Sequence, residues 1–241
     1  MKKLSFFVIL FLVSVMIASC SKKDNNPAGP ENTDNQTNNQ TAPSIPKPSF
    51  RGPATSVSNE ITNQIKTFID EFNAYSLVLN NIFSSVQPAN SGNEWKWVLK
   101  HDNNATETFT ATRSSDGNFT WNVVKNGTID TVTYTNWKSF EGTTSKDGKS
   151  GGWKLYSYNT TDVAAQISWS SGDLGNTGVL VVNENSVLKF KTEIVNNSNK
   201  SGSLKYYIEG PTIFWQADWN TDGTGTWKVY SHGVEKNSGK F

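Results

Sequence analysis

Two features of the 241-residue sequence predict a mainly β protein with one N-terminal helix. From Glu94 onward apolar and polar residues alternate, and turn-forming clusters interrupt the alternation about every eight to fifteen residues. Only one segment, Ser58 to Ser85, spaces its apolar residues helically instead.

The alternating sets include Phe119, Trp121 and Val123; Trp153 and Leu155; Ala165, Ile167 and Trp169; Leu188, Phe190 and Ile194; Leu204, Tyr206 and Ile208; Ile213, Trp215, Ala217 and Trp219; Trp227 and Val229. Asn, Thr, Lys, Ser, Gln and Glu fall between them, as expected of antiparallel strands with one buried and one wet face. Clusters such as "DGN", "NGT", "SGDLGNTG" and "NSNKSG" separate about ten or eleven strands. Nothing between them reads as a crossover helix, so neighbours in sequence should pair as a meander. Its apolar face is hidden either by closure into an up-and-down barrel or by a half-barrel curled around the helix.

In the helical segment Ser58 is placed to cap, and Ile61, Ile65, Phe68, Ile69, Phe72, Leu77, Leu79, Ile82 and Phe83 form a broad stripe. A stripe beside a folded domain is core packing before it is a partner surface. Asn73-Ala74-Tyr75-Ser76 is a place to bend, and Pro88 ends the segment.

The N-terminus reads as an address. Lys2 and Lys3 precede "LSFFVILFLVSVMIA", the charged and apolar regions of a secretory signal, too short and wrongly flanked for a spanning helix. The run ends in "IASC", Ile17 to Cys20, which resembles the lipobox of bacterial lipoproteins. That resemblance implies cleavage before Cys20, a diacylglycerol on its sulfur and usually N-acylation with a fatty acid such as palmitate. Cys20 is the only cysteine, so no intramolecular disulfide forms; the alternative is an ordinary secretory signal with an incidental thiol. Ser21 follows the cysteine where the family's retention signal has Asp, which implies the outer membrane and leaves the leaflet open.

Ser21 to Thr55 carries six of the eight prolines among Asn, Thr and Gln, with almost nothing to bury. As a disordered tether it would span on the order of 30 Å. The organisation expected is thus a signal over 1–19, acylated Cys20 and tether over 20–55, a helical segment over 56–88 and the β-meander over 89–241, the last two forming one globular domain. Loss of the signal removes two lysines, leaving 20 basic against 21 acidic residues. No basic patch argues for nucleic acid as a partner, and the membrane is met through the anchor.

One phrase recurs: "SSDGNFTW", "SKDGKSGGW" and "NTDGTGTW" each set Asp-Gly before a tryptophan. Glycine supplies a positive φ without a Cβ clash and Asp bonds its own turn, so Asp116-Gly117, Asp147-Gly148 and Asp222-Gly223 read first as hairpin turns. The tryptophans that follow, Trp121, Trp153 and Trp227, fall on the apolar face. "DWNTDG" also has the D-x-N-x-D-G spacing that opens many calcium loops. There Asp218, Asn220 and Asp222 would give side-chain oxygens and Thr224 a carbonyl, although Val229 stands where a closing Glu is expected. Calcium is the one cofactor the sequence raises.

Nine tryptophans leave two uses, core filling and ligand contact. Trp95 and Trp97 share one face and Trp215 and Trp219 another, beside the calcium-like loop, and these four are the ligand candidates. No serine-hydrolase elbow, zinc-protease helix or nucleotide glycine loop is present, and His101 and His232 lie far apart, so no catalytic residue is assigned. The expected protein is a membrane-anchored, non-enzymatic β-domain. Binding of an apolar or lipid ligand is the leading reading, with carbohydrate binding through exposed tryptophans and a structural envelope role as the alternatives. The incomplete barrel with helical filling looks like periplasmic lipid-carrier lipoproteins in architecture alone.

Overall fold

The computed structural model describes residues 42–43, 48–54, 59–77 and 87–241. The signal, Cys20 and most of the proposed tether lie outside them, as do Ser58 and residues 78–86. After helix α1 (Glu60–Leu77) come thirteen strands: β1 (Ala89–Ser91), β2 (Glu94–Lys100), β3 (Thr106–Arg113), β4 (Phe119–Ile129), β5 (Val132–Thr144), β6 (Ser150–Tyr156), β7 (Val163–Gly172), β8 (Gly175–Glu184), β9 (Val187–Asn197), β10 (Gly202–Ile208), β11 (Ile213–Trp219), β12 (Gly225–Ser231) and β13 (Val234–Lys240). They form one antiparallel sheet in the order β1 to β13. Its first and last strands do not pair, so the meander is open rather than a closed barrel. The sequence undercounts because β1 and β13, edge strands exposed on both faces, carry no apolar alternation.

The buried face is organised by register. One belt runs Trp95, Ala111, Trp121, Gly142, Trp153, Ile167, Leu180, Thr192, Tyr206 and Trp215 across β2 to β11. Large rings alternate with small residues where they are densest. A Cβ on Gly142 would lie 2.3 Å from the Trp153 ring, and one on Gly151 2.5 Å from Trp169. Gly202 gives Trp219 the same room, at 2.4 Å. Each indole thus lies over a neighbouring strand's glycine, which relates the high glycine content to the high tryptophan content: an interior packed to crystal-like density has no other space for these rings.

Helix α1 closes this face. Asn59 is its described cap: its Oδ1 accepts from Thr62 N–H (2.9 Å), while Thr62 Oγ1 accepts from Asn59 N–H (3.0 Å). Ile65, Phe68, Ile69 and Phe72 are buried as the stripe predicts. Phe68 stacks on Tyr206 with ring centroids 4.2 Å apart. The helix does not break at Asn73; that side chain reaches sideways, accepting from Phe50 N–H and donating to Phe50 C=O, both 3.1 Å. Asn196 in β9 holds Arg51 in the same two-sided way, at 2.7 and 2.9 Å. Phe50 is buried against Phe72, centroids 4.8 Å apart, so the ordered body reaches back into the stretch assigned to the tether. Sequence missed this because a single Phe between prolines has no periodicity.

On the same helix burial pushes the half-buried Glu71 carboxyl up to about 7. Between the ordinary value of 4.5 and 7 the folded protein keeps a proton that the unfolded chain has lost, so stability falls as pH rises through that window. Glu71→Gln is expected to stabilise the protein by about 2–3 kcal/mol at pH 8 and to change little at pH 4. Denaturant melts at the two pH values check this; equal gains at both would refute it.

Candidate functional site

The hairpin tips that carry Asp-Gly lie at one end of the sheet and share one construction. Gly117, Gly148 and Gly223 have φ of +86°, +70° and +84°. Their N–H groups bond the carbonyls of Ser114, Ser145 and Asn220 at 3.0, 2.9 and 3.1 Å. The aspartate then accepts from the N–H of the residue after the glycine: Asn118 at 3.3 Å, Lys149 at 3.1 Å and Thr224 at 3.0 Å. Hydroxyl bonds to Asp116, Asp147 and Asp222, from Ser114, Ser145 and Thr224, complete the scheme and hold all three carboxyls below the usual range.

The calcium-like loop is built as its two sisters are. Asp222 Oδ1 is occupied by Thr224, Asn220 Nδ2 donates to Thr224 Oγ1 at 3.2 Å, and Asp218 accepts from Gln216 at 3.4 Å. Among the described residues no group of three or more His, Cys, Asp or Glu comes together. Asp222→Ala and Asp147→Ala remove equivalent turn bonds and are expected to lower the melting temperature by similar small amounts, with millimolar calcium moving no melting curve. A calcium-dependent rise in melting temperature that survives Asp147→Ala and is lost in Asp222→Ala would make this a cation loop instead.

Of the four ligand candidates, Trp95, Trp97, Trp215 and Trp219 are all buried in the single large core cluster. The structure does not gather them at a surface. It gathers other aromatics at the opposite end of the sheet, where β5 meets the β6–β7 loop. There Trp137 stacks on Tyr134 (5.3 Å, 12° between planes), and Tyr158 stands edge-on to both at 5.9 and 5.5 Å. Trp137, Tyr156, Asn136, Lys138, Asn159 and Asp162 line an open cleft of about 740 Å³, floored further by Thr135, Thr160 and Thr161.

Each wall of this cleft has a local cause. Tyr134 and Trp137 are three residues apart, a spacing that a regular strand cannot turn toward one side; the β4–β5 register shifts between Lys125 and Gly127 make it possible. Asn136 accepts the bend with φ +46°, and Asn159 does the same in the β6–β7 loop with φ +52°. The Trp137 indole N–H donates to Thr160 C=O at 3.4 Å and the Tyr158 hydroxyl to Thr133 C=O at 2.9 Å, tying loop to strand.

Below the aromatic wall lies a small apolar cluster of Ala105, Ile129 and Tyr134, beside a buried ion pair. Lys125 Nζ bonds Glu107 Oε1 at 3.3 Å, His101 Nε2 lies 3.2 Å from the same oxygen, and Lys125 sits 5.6 Å from the Tyr134 ring centroid. Beside the cleft, Glu141 is held down to about 2, first by its bond to Lys138 (2.6 Å) and then by Tyr156. Burial and the bond to Glu141 push Tyr156 up to about 12. Lys138 Nζ lies 5.4 Å from the Tyr156 ring centroid.

The cleft therefore offers two rings, Trp137 and Tyr156, with hydroxyls, amides and the charged Lys138 and Asp162 in an open depression. None of its residues is a sequence candidate; the legible signal is the off-period pair Tyr134 and Trp137, followed by Tyr156 at the end of β6 and Tyr158 in the loop after it. Fold and site together define an open antiparallel meander, closed on one face by a helix and carrying an aromatic cleft at one end. No protein-family model and no curated protein matches the chain.

Proposed function

We propose that this is a lipid-anchored protein of the bacterial outer membrane whose β-domain is a non-enzymatic glycan-binding module. The observation that carries the reading is the Trp137 cleft. Trp and Tyr faces pack against the C–H faces of sugar rings, while nearby amides and hydroxyls exchange hydrogen bonds with sugar hydroxyls. Asn136, Asn159, Thr160 and Asp162 stand around the indole as such partners would. A lipid ligand would need room on the buried face, and the described part of that face is occupied by Trp97, Phe109, Leu180, Ile194 and the helix's Ile65 and Phe72. The anchor reading rests on "IASC" and the solitary Cys20.

The test has two arms. Cys20→Ala should abolish radiolabelled palmitate incorporation and release the protein from membranes; normal labelling would end the anchor claim. Purified protein should be retarded in affinity gels cast with at least one of starch, xylan, mannan, laminarin or polygalacturonate, and Trp137→Ala should remove the retardation without lowering the melting temperature enough to unfold the protein. No retardation by any of the five would refute the glycan reading.

A further inference from the structure

Resting on that glycan reading, we propose that the Trp137 cleft is one end of a longer site, whose second part is a trough across the open face of β4 to β7, and that the ligand is an uncharged oligosaccharide several rings long. The trough encloses about 540 Å³. Its floor is the strand backbone beneath the inward row Trp121, Gly142, Trp153 and Ile167. One wall is the outward row Asn122, Glu141, Lys154 and Gln166, in register across the four strands. The other is Thr120 and Thr143, with Gly152 keeping that wall low. Four adjacent strands place its ends about 14 Å apart.

Glu141 joins the two depressions. Its carboxylate faces the trough yet bonds Lys138 and Tyr156, which line the cleft, and Lys154 lies 3.4 Å away on the other side. Glu141 is thus already matched by two ammonium groups; Asp162, at the cleft, is the one other charged group lining the two depressions, and the remaining polar lining is amides and hydroxyls. Such a surface has no strong demand for a charged ligand and many small hydrogen-bonding ones, which is what a polyhydroxylated neutral chain supplies. The aromatic rings sit only at the cleft end, so one ring of the chain would stack there while the following rings lie over the sheet. The strands of the trough are rigid ladder elements, so little ordering accompanies binding.

The experiment measures affinity by calorimetry for a ladder of one to six rings from the neutral polysaccharide retained best, with polygalacturonate oligomers as the charged control. Each wild-type affinity is compared with those of the Asn122→Ala/Gln166→Ala double variant and of Trp137→Ala. Expected is a gain of about tenfold from the shortest to the longest oligomer, lost in the double variant while its shortest-oligomer affinity stays unchanged, and loss of binding at every length in Trp137→Ala. Affinity that does not depend on length, or a double variant identical to wild type, overturns the extended site while leaving the cleft. Preference for the uronate overturns the neutral-ligand assignment. No binding at any length, with Trp137→Ala silent, overturns the cleft reading and this inference together. Both altered side chains of the double variant lie on the open face, and a melting curve confirms its fold.

Discussion

Lys125→Met is expected to cost about 3–5 kcal/mol of stability, because it strands the Glu107 carboxylate in a site whose side chain is only 8 % exposed. Lys125 is itself 10 % exposed, so neither partner can turn to water without opening the β3–β4 pair. His101 Nε2 lies 3.2 Å from the same oxygen but makes no hydrogen bond to it, so it does not take the lysine's place. The double change Lys125→Met/Glu107→Leu removes both charges and should recover most of the stability, since a well-packed apolar pair is often as good as a buried ion pair. Denaturant melts of the two single variants and the double variant give the coupling directly. Additive losses would mean that the pair does not act as a unit. The same change has a second readout: Lys125 contacts the Tyr134 ring on which Trp137 stacks, so Lys125→Met should also loosen the aromatic wall and shift Trp137 emission.

Phe50→Ala is the other large effect, about 3–5 kcal/mol, as expected for emptying a buried aromatic site. Phe50 is 3 % exposed and fills the space between Phe72 of the helix and Gly178 of β8. A Cβ on Gly178 would lie 2.5 Å from the Phe50 ring and 2.7 Å from that of Phe72, so Gly178→Ala should be destabilising as well. The two changes should add less than fully, because removing the Phe50 ring clears one of the two clashes with the alanine methyl and leaves that with Phe72. Limited proteolysis supplies an independent reading: the resistant wild-type fragment should begin before Pro48, whereas that of Phe50→Ala should begin nearer the helix. Wild-type stability and an unchanged fragment in Phe50→Ala would show that the 48–54 segment is not part of the folded body.

Much of this architecture is legible in the sequence because it depends on local periodicity. Alternation from Trp95 to Val229 marks one buried and one wet face, the Asp-Gly turns mark where strands reverse, and the lack of crossover helices fixes antiparallel neighbours. The stripe from Ile65 to Phe72 locates the helix for the same reason. Signals of this kind survive in one dimension because each strand or turn carries its own pattern, and the repeated phrase is legible as a repeated hairpin.

What the tertiary structure alone decided depends on residues far apart in the chain. Whether β1 meets β13 is a matter of accumulated twist and curl, which no strand encodes by itself. The docking of Arg51 on Asn196 joins positions 145 residues apart and that of Phe50 on Asn73 positions 23 apart, and both asparagines look like ordinary polar residues in an element. The division of tryptophans between core and cleft follows from bulges that shift register within β4 and β5, and a shift of one residue exchanges the faces of every side chain beyond it. Periodicity assigns faces only while register holds. Trp95, Trp97, Trp215 and Trp219 therefore occupy the core, and the aromatic cleft formed around Trp137, where the period is broken.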